Sequence, residues 1–426
     1  MLKAFVNAFK IPDLRKKILF TLFIIAVYRL GSHVPVPVVD VQALKENVSG
    51  QTQTNFLQFI DLFSGGALTR FAVFALGIMP YITSSIIMQL LTVVIPKLEQ
   101  WQKQGEVGIK KITQWTRYMT VTLAVLQSTG LVFLFNQQFR NPPIIPKADF
   151  DAPHIALIVL TLAAGTSMIM WMGELITQRG IGNGMSILIF TSVISRLPTQ
   201  GVAIYQQTGA AQFYIILGLA LLIILAVVFM EQGQRRIPVQ YAKRVVGRRM
   251  VGGQSTYIPL KVNQAGVIPI IFAASVLYFP TLLASVFHAG WFQNFVNNNL
   301  NSQRSPVYLL TYGVLVVFFA YFYTAITFNP VDTADNIRKY GGFIPGIRPG
   351  RPTAEYLNNV LVRITLPGSL FLATVALLPS LFLAFYSIQQ FPFGGTAILI
   401  TVGVALETMK QLESQLLMRH YEGFLR

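Results

Sequence analysis

Apolar residues in this chain cluster into long runs separated by polar stretches. A helix needs about 20 mostly apolar residues to cross a hydrocarbon core. Such runs lie at 18–38, 71–95, 116–136, 153–173, 212–230, 265–287, 307–328 and 361–385. Two more are weaker. One is 185–204, where Arg196 cuts the clean stretch short. The other is 394–406, which continues as a charged helix with Glu407, Lys410 and Glu413. Together they predict ten membrane-spanning helices. The first run is too long for a signal peptide, contains Arg29 and is followed by Val34-Pro35-Val36-Pro37. That is no small-residue cleavage site, so the run is expected to stay as a span.

Composition agrees with the pattern. Of 426 residues, 53% are hydrophobic and 12% charged, about half the charged fraction of about 25% in soluble domains. So few charges could not cover a soluble surface, and a disordered chain would be apolar-poor. The chain has no cysteine, which excludes disulfides, thiolate metal sites and cysteine nucleophiles. Its 33 Lys+Arg against 16 Asp+Glu suggest either a nucleic-acid partner or membrane topology. With the amino terminus inside, 26 basic residues fall in inside segments and 6 in outside segments, with Arg29 within a span. The excess is therefore mostly a positive-inside signal, and both termini are expected in the cytoplasm. The inside loops 231–264 and 329–360 are longer than the usual helix connections of about 2–8 residues. They read as docking surfaces or as solvated charge clusters that enforce orientation.

Candidate chemistry is sparse. Ion-coupled carriers usually hold acids, Lys or His at mid-membrane, and the span centres here hold almost none. His33, His154, His288 and His420 are scattered, with no HExxH and no paired carboxylates. Gly180-Ile181-Gly182-Asn183-Gly184 lacks the Lys and the strand of a phosphate loop. It reads as a flexible turn opening the fifth span. Breakers sit in several spans: Gly77 and Pro80, Pro269 and Pro280, Pro367 and Pro379. Kinked helices with Thr83, Ser84, Ser85 and Gln89 suit a lined cavity or an opening interface, or plain close packing. The stretch 55–66 is an apolar helical turn or two ending in Gly-Gly, too short to span, as in re-entrant segments. No cofactor or metal is expected.

Several long motifs carry a resemblance. These are Phe74-Ala75-Leu76-Gly77-Ile78-Met79-Pro80-Tyr81-Ile82, the Gly180–Gly184 stretch, and Gln254-Ser255-Thr256 with Leu260-Lys261-Val262-Asn263. Ala265-Gly266-Val267-Ile268-Pro269, Phe343-Ile344-Pro345-Gly346-Ile347-Arg348-Pro349-Gly350 and His420-Tyr421-Glu422 complete the set. In order and over the whole chain, they resemble the SecY family, the central channel subunits of bacterial protein translocases. The resemblance implies an all-α polytopic membrane protein: ten transmembrane helices in two pseudosymmetric halves, a clamshell around a central pore. The halves would be 1–204 and 205–426. The implied function is a non-enzymatic, protein-conducting channel for unfolded preproteins that also releases transmembrane segments sideways into lipid.

The resemblance also assigns residues. A hydrophobic pore ring would be Ile78, Ile82, Met185, Ile189, Ile271 and Ile400, with Met185 standing where the family often has Ile. The i,i+4 pairs Ile78/Ile82 and Met185/Ile189 each share a helix face. From sequence alone, an isoleucine pair on a span more often faces lipid. A plug at 55–67 would include Phe56, Phe59, Ile60, Phe63, Ser64, Gly65 and Gly66. Spans two, three, seven and eight would form a lateral gate containing Thr83, Gln89, Gln127 and Phe279. Arg248, Arg249 and Arg348 would dock the ribosome and the SecA ATPase, and Arg351-Pro352 adds a charge beside them. SecE, SecG, signal-sequence-bearing preproteins and the lipid bilayer complete the implied partners, at a bacterial inner membrane. A secondary transporter for a small solute is the alternative; broken helices suit it, but the lack of mid-membrane ionisable residues counts against it.

Overall fold

The computed structural model describes residues 9–422 apart from 10, 41–42, 44–60, 62, 139–143, 147–149, 242–243, 247–248, 252–255, 287–289, 301–304 and 386–394. The predicted plug residues Phe56, Phe59 and Ile60 and the docking residue Arg248 lie outside the described residues. The side chains of Phe279 and Arg249 do as well.

Each predicted run contains a helix. The first half has α1 (Pro12–Gly31), α2 (Met79–Val94), α3 (Pro96–Lys103), α4 (Glu106–Gln138) and α5 (Ala152–Arg179). Next comes α6 (Gly184–Gln232), which carries the fifth and sixth spans and breaks at Gly209 (φ 77°, ψ 172°). The second half continues with α7 (Ile268–Val286), α8 (Gly290–Phe295), α9 (Pro306–Thr327), α10 (Pro330–Lys339), α11 (Arg351–Phe385) and α12 (Gly395–Glu422). Among the described residues, five helices are long and apolar enough to span alone. The pair α2 and α3, bent by 100°, adds a sixth, and Gly184–Thr199 and Ile268–Leu277 are shorter apolar helices.

Burial explains why these helices pack. In α1 the buried residues Leu14, Ile18, Thr21, Ile24 and Tyr28 form one stripe at helical spacing. A pair between Arg117 on α4 and Glu174 on α5 is bidentate, with both N–O distances 2.7 Å. Two glycines mark close backbone approaches: a Cβ at Gly165 would meet Val73 O at 2.1 Å, and one at Gly184 would meet Gly173 O at 1.9 Å.

Two expectations change. The 71–95 run is not helical throughout: 71–78 is a series of turns, with Phe71 at φ 44° and Gly77 at φ 56°. Pro80 therefore stands at the start of α2, where its missing N–H costs no helical bond, rather than kinking a longer helix. The Gly180–Gly184 turn is tightly packed rather than loose. The Asn183 side chain accepts hydrogen bonds from the backbone N–H of Met185 and Ser186 at 3.1 and 3.4 Å, an N-cap for α6. Ile181 is buried against Leu14, Ile18, Leu412 and Leu416.

Strands also appear in the loops read as basic connections. Strand β1 (Gln234–Tyr241) pairs antiparallel with β4 (Thr256–Lys261), and β5 (Gly342–Phe343) adds to the other edge of β1. Between them, β2 (Arg244–Val246) and β3 (Arg249–Val251) form a hairpin. Ile237, Val239 and Leu260 on this sheet are buried with Ile337, Ile344, Leu357, Val360 and Leu361. This platform is joined to the membrane part by Asn263, whose Nδ2 donates to Glu231 Oε1 at 2.6 Å and to Gly266 O at 3.1 Å.

Candidate functional site

The six ring candidates come from four helices. Ile78 is the residue that precedes α2, and Ile82 follows one turn later, with its N–H bonded to Ile78 O at 3.1 Å. Met185 and Ile189 lie on the first two turns of α6, Ile271 on the first turn of α7 and Ile400 on the second turn of α12. Ile78, Ile189, Ile271 and Ile400 are buried members of a single apolar cluster, and the half-buried Ile82 and Met185 pack against it. The Met185 Sδ lies on Gly173 of α5, where a Cβ would approach it to 2.3 Å. Phe63 and Ala67 of the predicted plug belong to the same cluster. It thus draws on α2 and the start of α6 from one half and on α7 and α12 from the other.

Beside this apolar contact the turn at 61–69, which overlaps the expected plug, is held by polar groups that sequence reasoning did not select. Gly65 (φ 64°) and Gly66 (φ 89°) take left-handed conformations that favour glycine. A Cβ at Gly65 would lie 3.0 Å from the Ser192 Cα and 3.2 Å from the Ser195 Oγ, so the turn lies directly against the backbone of α6. The Arg29 guanidinium donates from Nη1 to Gly65 O and to Ser195 Oγ, both at 3.0 Å. Tyr28 and Ser192 share a hydroxyl–hydroxyl bond of 2.6 Å. Asp61 is wholly buried, forms an ion pair with Arg196, and accepts the Thr69 N–H at 3.2 Å. Ser64 is buried and accepts the Leu68 N–H at 3.2 Å. A signal for this cluster was present in the sequence. Arg29 and Arg196 are charges within or at the end of apolar runs, and Asp61 is an acid in an apolar loop; such residues call for a named partner.

The gate candidates are less uniform. Helices α2 and α4 touch α7, and α7 touches α9. Thr83 is buried, but its hydroxyl is committed to Met79 O at 2.9 Å. Gln89 is exposed. Gln127 on α4 and Ser275 on α7 are buried, and among the described residues the Gln127 Nε2 and Ser275 Oγ have no hydrogen-bond partner. Ser275 was not among the sequence-derived candidates.

Of the docking candidates, Arg348 is exposed between Gly346 (φ 82°) and Gly350 (φ 101°), and its carbonyl accepts from Thr353 Oγ1 at 2.8 Å. Arg249 pairs with Val246 in the β2–β3 hairpin. Arg351 bonds to Glu355 at 3.1 Å, which offsets the extra charge expected beside Arg348. Among the described residues, no group of His and acidic side chains could hold a metal ion.

The chain is similar to known proteins in sequence and in fold. The SecY family profile matches residues 72–409. The protein translocase subunit SecY of Streptomyces galbus is 55% identical, over 100% of both chains. Among solved structures, one described as a protein-conducting channel superposes with a TM-score of 0.65 at 17% identity, over 96% of both chains. A Sec61 structure from a canine ribosome–channel complex of the endoplasmic reticulum gives a TM-score of 0.60 at 15% identity, again over 96% of both chains.

Proposed function

The chain belongs to the SecY family of protein translocase subunits, and from that premise we propose which residues do the work. The family fold is the ten-helix clamshell, and the function is that of a non-enzymatic, protein-conducting channel in a membrane. Ile78, Ile82, Met185, Ile189, Ile271 and Ile400 form the pore ring. One observation carries this reading: side chains from four helices of both halves meet in one apolar cluster that also holds Phe63. A ring of this kind excludes ions by dewetting. It makes no hydrogen bonds, so it yields around a passing chain of any sequence.

Residues 55–67 are the plug, and the boundary between the halves falls at 204/205, close to the break at Gly209. The α2–α4 and α7–α9 pairs are the lateral gate, with Thr83, Gln89, Gln127 and Phe279 along it. The unpartnered Gln127 and Ser275 support this. A buried polar group without a partner costs about 1–3 kcal/mol, a cost relieved when the seam parts and polar groups reach them. Signal sequences intercalate at this seam, and transmembrane segments leave through it.

The platform is the docking surface for the ribosome and for a SecA-type motor through Arg248, Arg249 and Arg348. Its support is Arg348, an exposed planar fork on a turn fixed by two left-handed glycines. SecE- and SecG-type subunits brace the clamshell from the bilayer. The 26-to-6 division of basic residues supports both termini in the cytoplasm, and the bacterial relatives support a bacterial cell (inner) membrane.

Photocross-linking in membranes with a stalled secretory precursor tests the pathway. A photoreactive residue replaces Ile82, and a control replaces Leu222, which is 63% exposed on the outside of the bundle. Adducts at 82 but not at 222 are expected. An engaged precursor that never labels position 82 rules out the ring.

A further inference from the structure

We propose that Asp61 and Arg196, with Arg29 beside them, form an electrostatic latch that holds the plug to the same helix face that carries the pore ring. The inference rests on reading residues 55–67 as the plug. Met185, Ile189, Ser192 and Arg196 follow one another at spacings of four, three and four residues. They therefore lie along one face of the first part of α6. The first two belong to the ring cluster. Ser192 bonds to Tyr28, and Arg196 pairs with Asp61. From α1, Arg29 reaches the Gly65 carbonyl and Ser195.

Three properties make this a latch rather than incidental packing. Asp61 is fully buried, so its charge is tolerated only while it is paired and hydrogen-bonded. The plug turn sits directly on the α6 backbone at Gly65, which leaves no slack between the two. Ring and latch share one rigid helix, so outward movement of Ile189 also displaces Ser192 and Arg196. A chain that dilates the ring thereby pulls on the Asp61–Arg196 pair, and release of the plug becomes coupled to occupancy of the waist. The chemistry is specific: a carboxylate on the plug, two guanidinium groups on the wall, and hydroxyls from Tyr28, Ser192 and Ser195 around them.

The experiment measures resting ion conductance of the intact, co-purified channel complex in planar bilayers. Asp61→Asn and Arg196→Gln should each raise it, on the order of tenfold or more, since removing one member of a buried pair strands the other. Deleting residues 56–65 should raise it at least as far. Exchanging the charges, Asp61→Arg with Arg196→Asp, should return it toward the wild-type level, which a merely structural defect would not do. Arg196→Lys, which keeps the charge, should stay closed and covers the case in which a neutral variant fails to insert. If the deletion leaks but both neutral variants stay closed, the latch is wrong and the plug reading survives. Leaky single variants that the exchange does not recover, or a Lys variant as leaky as Gln, also overturn the latch. Unchanged conductance in the deletion removes the plug reading and the latch with it.

Discussion

The waist, where the proposed pore ring meets, and the sheet platform are built on opposite principles. At the waist, Ile78, Ile189, Ile271 and Ile400 arrive from four different helices and meet only through apolar side chains. In the platform, β1 is held on both edges by backbone ladders to β4 and β5, over a core of Ile237, Val239 and Leu260. Dispersion contacts are non-directional and can re-form after displacement. Ladder hydrogen bonds are directional and fix a register. On the proposed function, the first arrangement suits a ring that parts and reseals, and the second a platform that keeps its shape under load.

Four substitutions probe that contrast, from the largest expected effect to the smallest. Ile400→Asp puts an unpaired charge at a position only 1% exposed. An uncompensated buried charge costs several kcal/mol, so the closed waist should fail; bilayer conductance that stays at the wild-type level would count against the ring. Leu260→Ala empties a fully buried platform position, at a cost of about 2–5 kcal/mol. Limited proteolysis should then cut 234–261 far sooner while the membrane helices stay protected. Equal protection in both proteins would mean the sheet does not rest on that core. Arg348→Glu reverses an exposed charge without touching the core. Rim charges mainly set association rates, so motor-driven translocation should fall about tenfold, the equivalent of about 1.4 kcal/mol, with insertion unaffected. Normal transport would remove Arg348 from the docking surface. Ile189→Leu conserves volume at the waist and should cost less than about 1.5 kcal/mol. Conductance within about twofold of wild type fits a deformable seal, whereas a large leak would show that the ring needs a fixed jigsaw shape.

The spans were legible because lipid forces every backbone group into helices, which leaves a long apolar run in the sequence. Length alone could not divide such a run into helix and turns. The 71–78 segment is as apolar as α2, and its non-helical path depends on Phe71 and Gly77 taking left-handed conformations. The strands were missed for another reason. Ile237 and Val239 alternate with exposed Arg236, Pro238 and Gln240 in β1, but a two-residue alternation interrupted by a proline is faint beside the charge pattern. The proposed ring rests on resemblance, since an isoleucine facing a pore and one facing lipid obey the same hydrophobicity. The latch was legible in principle, as three charges in apolar surroundings, but its pairing spans residues 61 and 196 and needed the fold.

Helix α11 gives the platform a mechanical connection to the bilayer. Its 35 residues make a rod of about 52 Å at about 1.5 Å per residue. One end carries Leu357, Val360 and Leu361 into the platform core, and the other carries Leu372, Val375 and Ala376 into the apolar core of the second half. Midway, Gly368 lies so close to Val262, just beyond β4, that a Cβ would meet its carbonyl at 2.4 Å. That contact is a fulcrum. Pivoting the whole rod by about 2° shifts one end by about 2 Å relative to the other, for a length set by the helical rise. On the proposed docking reading, thrust on the platform reaches the membrane core as leverage through this continuous helix.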